Sequence, residues 1–189
     1  CNIFNHLGIN INTSPVLDIE RGKFNGIIGD RSFSADKLTV SKLGKMCIDF
    51  HHENKIGTII KHIPGHGASN IDSHHFLPQT NLSRENLAKN DFFPFIKSKA
   101  FFAMTAHVKY NKFDSKNSAT HSKIIINEII RKKMKFKGII MTDDISMKAL
   151  KFDLKTNVVK SLDAGCNLIL HCNGDYSEAK KISKADEPS

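Results

Sequence analysis

"SKIIINEIIRKKMKFKGIIMTDDI", Ser122 to Ile145, changes its period halfway along. Ile125, Ile126, Ile129 and Ile130 recur at helical spacing behind Ser122, a residue that can cap a helix start. Beyond Gly138 the chain runs apolar through Met141 and closes on two adjacent carboxylates, Asp143 and Asp144. A helix feeding a near-continuously apolar strand is half of the repeating unit of a parallel sheet covered by helices.

The same alternation extends in both directions. Strands are expected over 8–19, 56–63, 100–108, 138–145 and 166–172, and helices over 34–54, 84–99, 122–135 and 154–164. Ser83 opens a capping pattern before Leu87, and Gly138 and Gly165 stand just before strands, as helix stops do. Repeated βα units with right-handed crossovers leave a closed barrel or a doubly wound sheet. No G-x-G-x-x-G follows the first strand. Instead, Asp18, Lys61, His62, His107, Asp143, Asp144 and His171 fall at the C-terminal ends of the strands, the edge on which a (β/α)8 TIM barrel gathers its reactive groups. A complete barrel takes roughly 250 residues. Five strands in 189 residues therefore predict an α/β fold of barrel type that is incomplete, with 1–189 as one domain.

Composition narrows the function classes. A hydrophobic content of 40% with 25% charged residues is that of a soluble globular chain, and no apolar stretch is long enough for a membrane span. The first residues have no basic, apolar and small-residue succession of a signal peptide, and the last ones, "SKADEPS", read as a frayed end. Cys1, Cys47, Cys166 and Cys172 are scattered without a C-x-x-C, which fits reduced thiols and a cytoplasmic setting. The net charge of +9 is mostly lysine spread over helical segments; "RKKMKFK" is the only dense basic run, and basic stripes interleaved with aromatics are absent. Nucleic-acid binding is not expected.

Four of the ten histidines lie in "KHIPGHGASNIDSHH", Lys61 to His75. His62 and His66 are spaced like two metal ligands on a helix, but Pro64 and Gly65 between them make a helix implausible. A zinc site built otherwise from His62, His66, Asp72, His74 and His75 remains open, as does a solvated polar loop. Asp72 and His74, two apart, can approach so that the carboxylate fixes the imidazole tautomer. Adjacent strand residues point to opposite faces, so one of Asp143 and Asp144 can face the barrel mouth while the other turns into the scaffold. Asp144 and His107 are expected to be supporting hydrogen-bond groups, with His66 bonding backbone in the turn and His75 solvated.

"KHIPGHGASNIDSHHFLP" resembles the K-H-F-P-G-H-G-x4-D-S-H signature of bacterial glycoside hydrolase family 3 β-N-acetylglucosaminidases, the β-hexosaminidases of peptidoglycan recycling. "SPVLDI", "IIGDRSF", "MTAHV", "FKGIIMTDDISM" and "LDAGCNLIL" are similar to the family's other blocks, in the family's order. The resemblance implies a TIM-barrel exo-hydrolase that removes terminal N-acetylglucosamine from muropeptides such as N-acetylglucosaminyl-1,6-anhydro-N-acetylmuramyl peptides. It implies no metal and no cofactor, and a monomer when full length. By motif match Asp143 is the nucleophile of a covalent intermediate, His74 the general acid/base and Asp72 its partner, while Arg31, Lys61 and His62 bind sugar hydroxyls. A histidine with an ordinary pKa of about 6.5 suits a group that both gives and takes a proton. The glycines of P-G-H-G allow the loop carrying His74 to close over sugar and reopen.

The family's opening strands, with an Asp-Gln-Glu-Gly-Gly-Arg type block, have no counterpart here. The resemblance runs from about the third strand to the seventh, which predicts a domain truncated at both ends. The competing expectation is a barrel remnant without catalysis that binds cell-wall sugars or an anionic polymer.

Overall fold

The alternation of helix and strand builds a five-stranded parallel sheet. The protein is described by a computed structural model covering residues 1–21, 27–69 and 77–185. The strands are β1 (Ile11–Asn12), β2 (Gly57–Ile63), β3 (Gln79–Thr80), β4 (Phe102–Thr105), β5 (Lys109–Tyr110), β6 (Ile139–Asp144) and β7 (Leu168–Leu170). The main sheet has the order β1-β2-β4-β6-β7, and β3 pairs with β5 in a separate parallel ribbon. The strands curl into a half-barrel, as the incomplete barrel expected from sequence requires.

Register decides which side chains reach the inner face. Lys61 pairs with Met104, Met104 with Met141, and Met141 with Leu168. Because side chains alternate along a strand, Ile59, Met104 and Met141 cluster on the inner face with Phe102 and Leu170. Ile60, Ala103 and Ile140 point the other way and are completely buried in the main core. Pairing becomes irregular between Lys61 and Ile63 and between Met141 and Asp144, at the ends where polar residues begin. Such irregularities re-aim side chains beside active sites.

Helices cover the outer face. α1 (Asn2–His6) precedes the sheet, and α2 (Lys37–Glu53) begins on Asp36, whose carboxylate accepts from the Thr39 N–H at 2.8 Å. α2 buries Val40, Gly44 and Ile48, and a Cβ at Gly44 would lie 2.3 Å from Leu17 Cδ2, so this helix approaches the sheet more closely than a larger residue permits. α3 (Arg84–Lys89) and α4 (Phe93–Lys97) follow, then α5 (Leu154–Ala164) and α6 (Tyr176–Ser183). α5 starts on the Asp153 carboxylate and ends on Gly165 at φ 111°, a left-handed stop that glycine adopts without strain.

Several boundaries differ from the sequence expectation, each for a physical reason. The first strand keeps only Ile11–Asn12 and a bridge from Val16 to Lys61, because Pro15 has no N–H to give the ladder at its centre. The expected helix 84–99 is two helices, with Pro94 in the first turn of the second, where its missing N–H costs nothing. The stretch Ile124–Lys133 is a π-helix that buries the same four isoleucines; a four-residue repeat fits either winding. Gly138 does not stop that helix. Lys135 takes the left-handed turn at φ 58°, and Gly138 is needed because a Cβ there would sit 1.9 Å from the Phe101 carbonyl oxygen. The short helix α6 was not anticipated; Asp175 caps it through the Ser177 and Glu178 N–H groups.

None of the four cysteines is in a disulfide. Among the described residues no helix is long and apolar enough to cross a membrane.

Candidate active site

A cleft of about 580 Å³ opens at the C-terminal ends of the main strands, lined among others by Arg31, Lys61, His62, Met104, His107 and Asp143. Met104 and Leu170 of the inner-face apolar cluster reach it, and Lys61, His62 and Asp143 enter from the irregular ends of β2 and β6.

Asp18 organises one wall from behind. Its carboxylate is fully buried, and burying a charge is tolerated only with good partners. It has three: the His62 N–H at 3.1 Å, the His62 Nδ1–H at 2.7 Å and the His66 N–H at 2.6 Å. Burial pushes this carboxyl up, but the His62 and His66 contacts together hold it below its ordinary 3.8. With Nδ1 committed to Asp18, the His62 ring turns Nε2 toward Asp143, 3.8 Å from Oδ2.

Asp143 is the carboxylate presented to the cleft. Its side chain is 21% exposed, and Oδ1 accepts the N–H of Asp144 at 2.8 Å. Asp144 turns away, as the alternation of strand side chains requires: its oxygens accept from Ser146 N–H, Ser146 Oγ–H and Cys172 N–H. Those bonds outweigh the upward push of burial and lower its pKa. Lys61 is half-buried beside them. Burial and the neighbouring Arg31 charge lower its pKa, opposed by Asp143 and Asp18. Arg31 ends a 3-10 turn (Gly29–Arg31) and donates to the Ile27 carbonyl at 2.5 Å.

His107 supports the opposite wall. Nε2–H donates to the Asp144 carbonyl at 3.0 Å and Nδ1 accepts from Thr120 Oγ1 at 2.7 Å, while Thr120 also meets Thr105 Oγ1 at 2.8 Å. Burial lowers the His107 pKa, so the ring is neutral and the tautomer fixed. His66 is lowered to about 4, again chiefly by burial, and its Nδ1 meets Ser69 Oγ at 3.0 Å. The turn after β2 is pinned by the Tyr110 hydroxyl, which donates to the Gly65 carbonyl at 2.5 Å, and by Asp91, which pairs with Arg21 and would contact any Cβ at Gly65.

Four expected site residues, Arg31, Lys61, His62 and Asp143, thus line one cleft. Asp72, His74 and His75 lie outside the described residues, and with them the expected acid/base pair, the part of the loop expected to close over sugar that carries His74, and the rest of the zinc set. Among the described residues no cluster of three metal-ligating side chains exists. Sequence reasoning noted Asp18 only as a strand-end polar group and did not see that it anchors His62. The signal was present: a lone carboxylate inside the apolar "SPVLDI" requires buried donors.

Fold and cleft together define a partial (β/α) barrel with its reactive groups at the mouth. Residues 3–187 match the glycosyl hydrolase family 3 N-terminal domain, and the chain belongs to that family. It is 36% identical over 187 residues to a beta-hexosaminidase of Idiomarina loihiensis, covering 97% of this chain and 56% of that protein. Among solved structures it is similar to the family 3 β-N-acetylglucosaminidase of Paenibacillus sp. str. FPU-7, with a TM-score of 0.90, 32% identity, and coverage of 96% of this chain and 36% of the other. NagZ from Neisseria gonorrhoeae gives a TM-score of 0.87 at 30% identity, over 98% of this chain and 54% of that one. The chain spans about half the length of the beta-hexosaminidases it matches.

Proposed function

We propose that the protein containing this chain is a retaining exo-β-N-acetylglucosaminidase acting on peptidoglycan fragments in the cytoplasm. The observation that carries the reading is the Asp143 carboxylate, directed into the cleft beside His62 and Lys61 in a chain of this family.

In this scheme Asp143 attacks the anomeric carbon of a terminal N-acetylglucosamine. The bond to the leaving-group oxygen breaks as His74, oriented by Asp72, supplies the proton. His74 then deprotonates water, which attacks the glycosyl-Asp143 ester and releases the sugar with its configuration retained. Arg31, Lys61 and His62 hold sugar hydroxyls, His62 through the Nε2 that Asp18 leaves free. The scheme uses no cofactor. Its substrate is an N-acetylglucosaminyl-1,6-anhydro-N-acetylmuramyl peptide, and the single domain works as a monomer in the full-length protein.

The test is hydrolysis of a chromogenic N-acetyl-β-glucosaminide by the full-length protein and by Asp143→Ala. Activity lost in the variant supports the scheme, and activity unchanged refutes it. Binding of the sugar without turnover favours a barrel remnant that only binds saccharide.

A further inference from the structure

Asp143 stands where the ladder of its strand lapses. Regular pairing of β6 with β4 stops at Met141, and pairing with β7 is irregular between Met141 and Asp144. Side chains take over part of the ladder's work there. His107, two residues past the end of β4, gives its Nε2–H to the Asp144 carbonyl at 3.0 Å. The Asp144 carboxylate is held at the same time by the Ser146 N–H and hydroxyl and by the Cys172 N–H. Fixed at carbonyl and side chain, Asp144 presents its remaining polar group, the N–H, to Asp143 Oδ1 at 2.8 Å.

One carbonyl dictates the protons of this network. A carbonyl oxygen only accepts, so His107 carries a proton on Nε2. Burial keeps the ring neutral, which leaves Nδ1 a bare acceptor, and Thr120 Oγ1 at 2.7 Å donates to it. Having given its proton to the ring, Thr120 accepts from Thr105 Oγ1 at 2.8 Å. The Ala106 carbonyl, 3.3 Å from Thr120 Oγ1, is the more distant acceptor. Donation therefore runs from Thr105 through Thr120 and His107 to the Asp144 carbonyl. All three side chains are buried, where an unpaired hydroxyl or ring nitrogen is costly. His107 lines the cleft, yet both of its ring nitrogens are engaged by protein and neither is left to bind a sugar. Thr120 stands behind it, on the 3-10 turn Ala119–His121.

We propose that Thr120 is a positioning residue for the attack by Asp143: its hydroxyl selects the His107 tautomer that pins Asp144, and the Asp144 N–H orients the Asp143 carboxylate. The inference deepens the glycosidase reading and rests on it. A nucleophile displaced by about 1 Å loses on the order of a hundredfold in rate, while contacts that only hold the sugar are untouched. Without the Thr120 hydroxyl the ring is free to move its proton to Nδ1. The Asp144 carbonyl then loses its donor, and the N–H that holds Asp143 loses its fixed direction.

The test uses the full-length protein and two substitutions at one position. Thr120→Val keeps the shape and loses the hydroxyl, whereas Thr120→Ser keeps the hydroxyl and loses the methyl. On a chromogenic N-acetyl-β-glucosaminide, Thr120→Val is expected to lower kcat/KM about tenfold and to leave the inhibition constant of N-acetylglucosamine within about twofold; Thr120→Ser retains most of kcat/KM. A role in packing alone makes Ser as damaging as Val or worse, and that order overturns the proposal, as does an unchanged kcat/KM in Thr120→Val or a loss matched by weaker sugar binding. The side-chain NH2 of His107→Gln can meet the Asp144 carbonyl without Thr120, so adding Thr120→Val to it should cost nothing further; a full tenfold loss in that background shows that Thr120 does not act through His107 and overturns the proposal. Should Thr120→Val fail to fold, nitrogen-15 spectra of the histidine rings in the unaltered protein decide, with His107 identified by the signals absent from His107→Gln. A proton on Nε2 with Nδ1 bare supports the relay, and a proton on Nδ1 overturns it. If the unaltered protein turns over no N-acetylglucosaminide, the glycosidase reading has failed, and the same ring spectra decide the relay by themselves.

Discussion

Asp18 Oδ2 and His62 Nδ1 lie 2.7 Å apart in the interior of the protein, and that contact aims the opposite ring nitrogen at Asp143. Replacing the carboxylate by an amide breaks the arrangement twice. Asp18→Asn loses charge against three donors and brings an NH2 group against at least one of them. The expected cost is about 3 kcal/mol, read from urea unfolding at pH 7. Because the Asp18 pKa is lowered in the fold, its contribution is present above 3.8 and disappears as pH falls through the still lower folded value. The difference between the two proteins should therefore persist at pH 5 and close only in strong acid.

Asp143→Ala should behave in the opposite manner. The side chain is partly exposed and, among the described residues, accepts its neighbour's N–H and lies at longer range from His62 and the Lys61 charge, so stability should change by less than about 1 kcal/mol. Turnover of a chromogenic N-acetylglucosaminide should fall by about 10⁴-fold. Thermal unfolding and initial rates on the same samples check both halves.

Gly138→Ala tests the packing beneath the site. A Cβ there meets the Phe101 carbonyl oxygen at 1.9 Å, and that same oxygen accepts the Ile139 N–H at 2.8 Å. The ladder between β4 and β6 must open at its start, at a cost of about 2–4 kcal/mol. Gly174→Ala, at a position with open space, reports only the expense of a left-handed backbone and should cost less, about 1 kcal/mol.

Mild acid should weaken the fold through its buried histidines. His66 and His121 are both lowered to about 4, chiefly by burial, so between pH 6.5 and 4 the unfolded chain takes up protons that the native one refuses. Stability is complete above 6.5 and declines by about 1.4 kcal/mol per pH unit for each such histidine below it. His121→Gln should remove one proton's worth of that slope, measured as urea stability against pH.

The sheet was legible because Ile59–Ile60, Ile139–Met141 and the isoleucines of Ile124–Lys133 carry their periodicity locally, and the cleft because Lys61, His62 and Asp143 end strands rather than interrupt them. Long-range relations were not. Nothing near Gly138 reveals that Phe101 presses on it, and nothing near Asp18 reveals that two histidine N–H groups, more than forty residues away, keep it charged. Helix boundaries failed where winding, rather than burial, was the variable, as in Ile124–Lys133.

The irregular pairing at Lys61 and Ile63 has one more consequence. In β2 the neighbours Lys61 and His62 both reach the cleft, His62 while anchored to buried Asp18, because the strict alternation of the strand is interrupted there. Inserting or deleting a single residue within β2 upstream would leave every functional group in the chain and shift both out of their places at the cleft. The site is thus written in the phase of a strand as much as in its residues. A one-residue frameshift of the pleat would silence it while the composition stayed almost the same.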